Sequence, residues 1–312
     1  HPWRLVSVVS HHQMVVLVVV DLLAAAEVVA EAAAGKIMLI AAISGGVDSV
    51  VLLDLLSKRY KTSDIIVAHV NHGIRVESSE DADFVRKMSA KYGMQYYQID
   101  LNLGLHASEE VARDQRYAFL RKLSKEFNAK IVTAHHADDI IETIAINLVR
   151  GTGWRGLAVM SAKDIYRPLT CFYKNDLLLY AKKNGLEWRE DSTNSSDLYL
   201  RNRLRKRIKI LNPSIKQNLI QLWRNQTKIA RDINKETAKF SKNSRYFYLM
   251  ISNDVAVEIL RNFLLNKGIA QTRPQLNDIL ISIKTTKAGS KRTLNSSVSM
   301  CFSTSEFWLE FC

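Results

Sequence analysis

The stretch Ile37-Met38-Leu39-Ile40-Ala41-Ala42-Ile43-Ser44-Gly45-Gly46-Val47-Asp48-Ser49 decides the fold. Ile37 to Ile43 is an apolar run with no polar alternation, which predicts a short strand buried on both faces. The two glycines let the backbone turn tightly, and Val50 to Leu56 then shows helical apolar spacing. A strand, a Gly-rich turn and a helix in succession place free N–H groups and the positive end of the helix dipole at the turn, where an anion is favoured. Ser44, Gly45, Gly46, Val47, Asp48 and Ser49 are therefore candidate phosphate-binding residues. Ser44 and Ser49 supply hydroxyl donors, and Asp48 is suited to holding a magnesium ion against pyrophosphate oxygens. The Gly-Lys-Ser ending of a Walker loop is missing. A plain strand-to-helix turn is the alternative reading.

Outward from this segment, a second apolar strand is predicted at Ile65–Val70 and further strands at Gln95–Ile99 and Ile131–Ala134. Helices are predicted between and after them: one opening at Ser78 with Asp81 imitating a capping box, one from Glu109 to Phe127, one from Ala137 to Val149. Strands alternating with helices imply an α/β fold, a Rossmann-like parallel sheet with right-handed crossovers. Ligands of such sheets sit beyond the carboxyl ends of the strands. Three polar clusters fall there, Ser44–Ser49, Asn71–Arg75 and His135–Asp139, and are expected to converge on one cleft. After Asn212-Pro213 the texture changes. Residues 214–245 read as a polar helix striped by Ile215, Leu219, Leu222 and Ile229. Helices at Val255–Leu265 and Gln275–Ile283 and short strands over Thr293–Glu310 follow. The expected organisation is an unassigned segment 1–34, a nucleotide-binding catalytic domain 35–211, and 212–312 as a linker helix with a smaller, mainly helical or α+β domain.

Over 312 residues, 44 Lys and Arg against 31 Asp and Glu give a formal net charge of +13. Such an excess favours polyanionic partners, nucleic acid first, because phosphate contacts release condensed counterions. A solubilising surface or attraction to acidic membrane is the bland alternative. Cys171, Cys301 and Cys312 have no short pair spacing, which gives no disulfide framework or zinc site and suits a reducing cytosol. The apolar run Met14–Val20 is broken by Asp21 and falls short of the roughly 20 residues that span a bilayer. Arg4 before a valine run imitates a signal peptide, a reading set aside because the chemistry downstream is cytosolic. Residues 1–34 are low in complexity, a tag or an ill-defined stretch, and carry no functional reading.

The strand–SGGxDS–helix unit resembles the PP-loop of ATP pyrophosphatases, which cleave ATP between its α- and β-phosphates. Further stretches choose among them: Ala68-His69-Val70-Asn71-His72-Gly73-Ile74-Arg75, Ala112-Arg113-Asp114-Gln115-Arg116-Tyr117, and Ala134-His135-His136-Ala137-Asp138-Asp139-Ile140-Ile141-Glu142-Thr143. Arg150-Gly151-Thr152-Gly153, Arg167-Pro168-Leu169, Glu190-Asp191-Ser192-Thr193-Asn194 and Arg201-Asn202-Arg203-Leu204-Arg205 follow. In this order they resemble the tRNA(Ile)-lysidine synthetase family over residues 36–211. Ile140 departs from the pattern, since the family often has Gln there, at a position that tunes the cleft. The resemblance implies a reaction. The C2 oxygen of the wobble cytidine in a CAU-anticodon tRNA(Ile) attacks the α-phosphate of ATP and releases pyrophosphate. The side-chain amine of free L-lysine then attacks the adenylated base, releasing AMP and leaving lysidine. ATP and Mg2+ are the implied cofactors and the cytoplasm the implied location, with homodimerisation left open.

That chemistry needs an ammonium group held and deprotonated, work for carboxylates. Asp139 and Glu142, three apart on one helix, are assigned lysine binding and orientation, with Asp139 the favoured base and Asp138 the weaker one. Helix N-terminal acids favoured by the dipole are the alternative. Arg113 and Arg116 are read as meeting phosphate or developing negative charge, against solvated ion pairs. His72, His135 and His136 lack a third ligand of metal spacing; His72 is placed with the nucleotide-binding residues, while contact to RNA or strand-end packing is the other reading. Arg201, Arg203, Arg205 and Arg207, with Lys206 and Lys209, form an acid-free run in which 201, 205 and 209 share a helical face. Together with Trp154 and Arg155 the run reads as a tRNA track, against a solvated charged face. Residues 212–312 resemble the family's small substrate-binding domain only weakly, best at Ser290-Lys291-Arg292, and suggest a short form with one C-terminal domain. A tRNA thiolase is the runner-up, disfavoured because the catalytic half holds only Cys171. A small-molecule synthetase needs no basic track, and an RNA-binding module with a decayed ATPase does not need Asp48, Asp139 and Glu142.

Overall fold

The computed structural model describes residues 38–71, 73, 78–101, 109–190, 200–240 and 242–311. Strands β1 (Leu39–Ala42), β2 (Ile65–Asn71), β3 (Gln95–Asp100), β4 (Lys130–Thr133) and β5 (Ile165–Tyr166) form a parallel sheet in the order β3-β2-β1-β4-β5. The central strand pairs through Leu39 with Ile65 on one side and Lys130 on the other. Period-two alternation explains its unbroken apolar run: Leu39, Ala41 and Ile43 enter one core and Ile40 enters another.

Among the described residues the helices that follow are α1 (Val47–Arg59), α2 (Ser78–Lys91), α3 (Glu109–Glu126), α4 (Ala137–Val149), α5 (Lys174–Lys183), α6 (Leu200–Lys209) and α7 (Pro213–Thr237). The first core joins β1 to α1, α2 and α5 through Val51, Leu52, Val85, Leu177 and Tyr180; the second joins it to α3 through Tyr117, Leu120 and Leu123. A third cluster sets Ile140, Ile141 and Ile144 of α4 against Ile208 of α6 and Ile220 of α7. The parallel α/β fold expected from the alternating pattern is the one observed. From β1 the chain winds outward to β2 and β3, then returns to place β4 on the opposite side of β1. The crevice of such a sheet opens where the order reverses, beyond the carboxyl ends of β1 and β4.

Sequence periodicity missed β5 and α5. The strand has two residues, and Leu177, Leu178 and Leu179 are contiguous, so no helical stripe stands out. Packing against α1 explains α5: the Tyr180 hydroxyl donates to Asp54 Oδ2 at 2.7 Å, and Lys58 donates to the same oxygen at 2.8 Å. Tyr92 donates to Asp54 Oδ1 at 3.1 Å, so this buried carboxylate is fully satisfied.

The chain divides into two compact units, up to Trp223 and from Arg224 onward. The division falls within α7, whose early turns belong to the first unit: Ile220 is buried against α4, and Trp223 Nε1 donates to Val159 O at 2.9 Å. The second unit holds the rest of α7, then α8 (Arg245–Met250), α9 (Asn253–Leu265) and α10 (Arg273–Thr285), with an antiparallel sheet of β6 (Lys291–Asn295), β7 (Val298–Phe302) and β8 (Phe307–Phe311). Its core is built on Tyr248, Leu260, Leu276, Phe302 and Phe307. Arg245 is buried there and satisfied by three carbonyls, those of Ile283, Ser303 and Thr286, at 2.6–2.7 Å. The helix expected over 214–245 stops at Thr237 instead. Asn262 Nδ2 donates to Asn234 O at 2.8 Å and to Thr237 Oγ1 at 2.9 Å, taking the carbonyl that another turn of α7 would have used. Lys291 and Arg292 lie inside β6 and not ahead of it.

Candidate active site

The turn between β1 and α1 is braced from within. Ser49 Oγ donates to Gly46 O at 2.8 Å and accepts from Gly45 N at 3.1 Å and Ser44 N at 3.3 Å, so its hydroxyl shapes the loop that α1 opens from. Gly45 sits at φ +91°, and its carbonyl accepts the Arg189 N–H at 3.0 Å. A side chain at that φ is strained, and a Cβ would also meet Phe84 and Val85 at 3.4 Å. Gly46, at φ −71°, has only Ser44 Oγ near, at 3.7 Å. Gly45→Ala is therefore expected to lower unfolding free energy by about 1–2 kcal/mol, the penalty of left-handed backbone. Gly46→Ala is expected to cost less, and urea melts giving the two equal losses would contradict this.

The loop at β1 meets the start of α4, which follows β4. His136 caps α4: its N–H donates to Asp139 Oδ2 at 3.0 Å. Its imidazole Nε2 lies 3.6 Å from Asp139 Oδ2 and 3.7 Å from Asp48 Oδ2, while Nδ1 lies 4.0 Å from Asp138 Oδ2. Two of the three predicted clusters thus converge. In the third, His72 and Arg75 lie outside the described residues, and Asn71 is bonded to Asp100 Oδ1 at 2.8 Å.

Each carboxylate at this junction has a definite setting. Burial pushes the Asp139 carboxyl up, but His136 (side chain and N–H), His135 and Arg201 outweigh it and hold the acid below its ordinary value. Its side chain is 16% exposed. Asp138 accepts the Lys174 backbone N–H at 2.8 Å through one oxygen and Lys216 Nζ at 3.0 Å through the other. Glu142 is buried and takes Arg205 Nε at 2.7 Å and Arg201 Nε at 3.2 Å. Asp48 receives the Lys174 ammonium on both oxygens, at 2.7 and 2.8 Å.

The edge of α6 carrying Arg201 and Arg205 is turned toward α4, whereas Arg203, Lys206, Arg207 and Lys209 are exposed. Arg113 and Arg116 of α3 lie over the Tyr117 ring, 5.6 and 5.2 Å from its centroid. Arg155 stacks over Trp154 at 4.7 Å. Lys174 and Lys216 were missed by sequence reasoning: nothing in their spacing marks them, since their acidic partners lie on other elements.

His135 accepts or donates at 2.8 Å to Thr133 Oγ1. Burial pushes it down to about 4, with Asp139 opposing and Arg167, Arg116 and Arg113 adding to the effect. An unfolded chain protonates this histidine near 6.5 and the folded one does not, so the stability it contributes is present above 6.5 and lost as pH falls toward 4. His135→Gln is expected to flatten the fall of the thermal midpoint across that window. A slope as steep as that of the unaltered chain would assign the effect elsewhere.

The family described as PP-loop domain matches residues 22–211. A relative from Thermosipho africanus, named tRNA(Ile)-lysidine synthase, is 34% identical over 72% of this chain and 56% of its own length. One of the same name from Bacteroides thetaiotaomicron is 36% identical over 63% of this chain and 49% of its own length. The chain thus spans about half the length of these curated relatives. Among solved structures, the U34-tRNA thiolase NcsA from Methanococcus maripaludis, with its 4Fe–4S cluster, superposes with a TM-score of 0.53 at 22% identity. That likeness covers 62% of this chain and 72% of the other, and it concerns the fold alone.

Proposed function

The chain belongs to the PP-loop family, and from that premise we propose that it ligates free lysine to the wobble cytidine of a CAU-anticodon tRNA(Ile), using ATP and releasing pyrophosphate and AMP. The observation that carries the reading is the junction of β1 and β4, where Asp48 of the phosphate loop and Asp139 of α4 stand within 3.7 Å of one imidazole, that of His136. In this reading phosphate chemistry and ammonium recognition share one crevice. Relatives named tRNA(Ile)-lysidine synthase at 34% and 36% identity support the same reading.

In this proposal Gly45, Gly46 and the first N–H groups of α1 receive the phosphates. Asp48 fits a magnesium ion carried by those phosphates, because one carboxylate plus phosphate oxygens is a usual holding for it. Bound there, the ion would offset charge on the departing pyrophosphate. Asp139 holds the lysine ammonium: an ionised carboxylate in a semi-buried site attracts it strongly, while its low pKa makes it an orienting group more than a strong base. Glu142 reaches an ammonium by exchanging Arg201 or Arg205, and Asp138 holds the N-terminal end of α5 in place. Arg113 and Arg116 flank the site as guanidinium groups able to meet developing negative charge. The exposed Arg203 and Arg207 follow the tRNA backbone, each contact adding to the salt dependence of binding.

The test is ATP–pyrophosphate exchange with and without unmodified tRNA. Exchange that depends on the CAU-anticodon tRNA(Ile) is expected, since the adenylated base forms before lysine is needed. Exchange indifferent to tRNA would point to a small-molecule substrate instead.

A further inference from the structure

Four carboxylates crowd the junction, and ATP brings more negative charge to it. Three of these acids, Asp48, Asp138 and Glu142, are paired with a Lys or Arg side chain. Lys216 beside Asp138 is 16% exposed, and Arg201 and Arg205 beside Glu142 are 25% and 30% exposed. Lys174 differs: its side chain is 41% exposed, and it grips Asp48 of the phosphate loop through both oxygens at 2.7 and 2.8 Å. Water reaches the Lys174 ammonium, so its attraction to the 26% exposed Asp48 is screened and the pair is readily exchanged. Its root, by contrast, is fixed. The Lys174 backbone N–H is bonded to Asp138 at 2.8 Å, and the residue begins α5, whose Tyr180 is buried against α1. The result is a flexible four-carbon stem on a rigid base, with its charge at the mouth of the phosphate loop.

We propose that Lys174 is a phosphate-binding residue of this site, kept on Asp48 while the loop is empty and transferred to the ATP phosphates when nucleotide binds. The inference rests on the PP-loop reading of residues 44–49 and goes beyond it, since Lys174 lies outside every recognised motif. The transfer is an ion exchange and needs no bond to form or break. The ammonium leaves one anion for a more highly charged one, and Asp48 becomes available to a metal ion arriving with the phosphates. Lysine suits this exchange because it is a compact point charge with freely rotating donors, whereas a planar guanidinium fixes its partner's geometry.

Equilibrium binding of ATP and of adenosine, at constant magnesium, to the whole chain and to Lys174→Met and Lys174→Arg tests this. Lys174→Met is expected to weaken ATP binding roughly ten- to a hundredfold, the range of one charge-assisted hydrogen bond. Adenosine binding stays within about twofold, the difference that separates a lost phosphate contact from a damaged fold. Lys174→Arg is expected to recover part of the ATP affinity, because the charge is kept while the rigid fork exchanges partners less freely. Unchanged ATP binding in Lys174→Met overturns the proposal, as does an equal loss for ATP and adenosine. Binding of neither ligand by the unaltered chain overturns it too. Nucleotide binding requires neither lysine nor tRNA, so a chain that binds ATP through Lys174 yet makes no lysidine would keep this inference and lose the proposed reaction.

Discussion

Asp139→Asn is expected to lower lysine incorporation into tRNA roughly ten- to a hundredfold, the range of one charge-assisted contact to an ammonium, while leaving tRNA-dependent pyrophosphate exchange largely intact. The substitution is chosen for its cap. Asp139 Oδ2 accepts the His136 N–H at 3.0 Å, and an Asn oxygen accepts the same bond, whereas Ala abandons it at about 1 kcal/mol. What Asn removes is the charge that attracts an ammonium. The effect therefore belongs to the second half of the reaction, and the lysine KM rises with the fall in rate. Parallel collapse of exchange and incorporation would place Asp139 in the adenylation step and discard the lysine site.

The second large effect concerns Glu142, whose carboxylate is 3% exposed and bridged to Arg201 and Arg205 of α6. Removing one member of a buried ion pair leaves uncompensated charge and costs about 3–5 kcal/mol. Glu142→Ala is thus expected to lower the thermal midpoint by roughly 6 °C or more, at 2–4 °C per kcal/mol for a domain of this size. Double replacement of Glu142 and Arg205 by Leu is expected to recover part of it, since an apolar pair carries no desolvation penalty. A Glu142→Ala chain that melts with the unaltered one while losing lysine affinity would mean that Glu142 serves substrate and not α6.

The centre of the sheet was legible because β1, β2 and β4 are largely buried, which writes apolar runs such as Ile37–Ile43 into the sequence. The loop was legible because a left-handed φ at Gly45 demands glycine. The convergence of Asp48 with Asp139 followed from the rule that strand carboxyl ends share a crevice. Ion-pair partners were not legible. Glu142 and Arg205 are 63 residues apart and Lys174 and Asp48 are 126 apart, so their meeting depends on how helices pack over the sheet. Periodicity placed 201, 205 and 209 on one face, but only packing shows that its first two members look toward α4. The helix α5 escaped because its apolar residues are contiguous, and burial against α1, not a stripe, holds it.

The central claim is met most directly by incubating the chain with ATP, magnesium, radiolabelled lysine and a CAU-anticodon tRNA(Ile) transcript lacking modification. Acid-stable label in the tRNA is expected, with one AMP formed per lysine joined and no label in a transcript whose wobble cytidine is replaced by uridine. A folded chain that binds ATP and this tRNA yet transfers no lysine would contradict it.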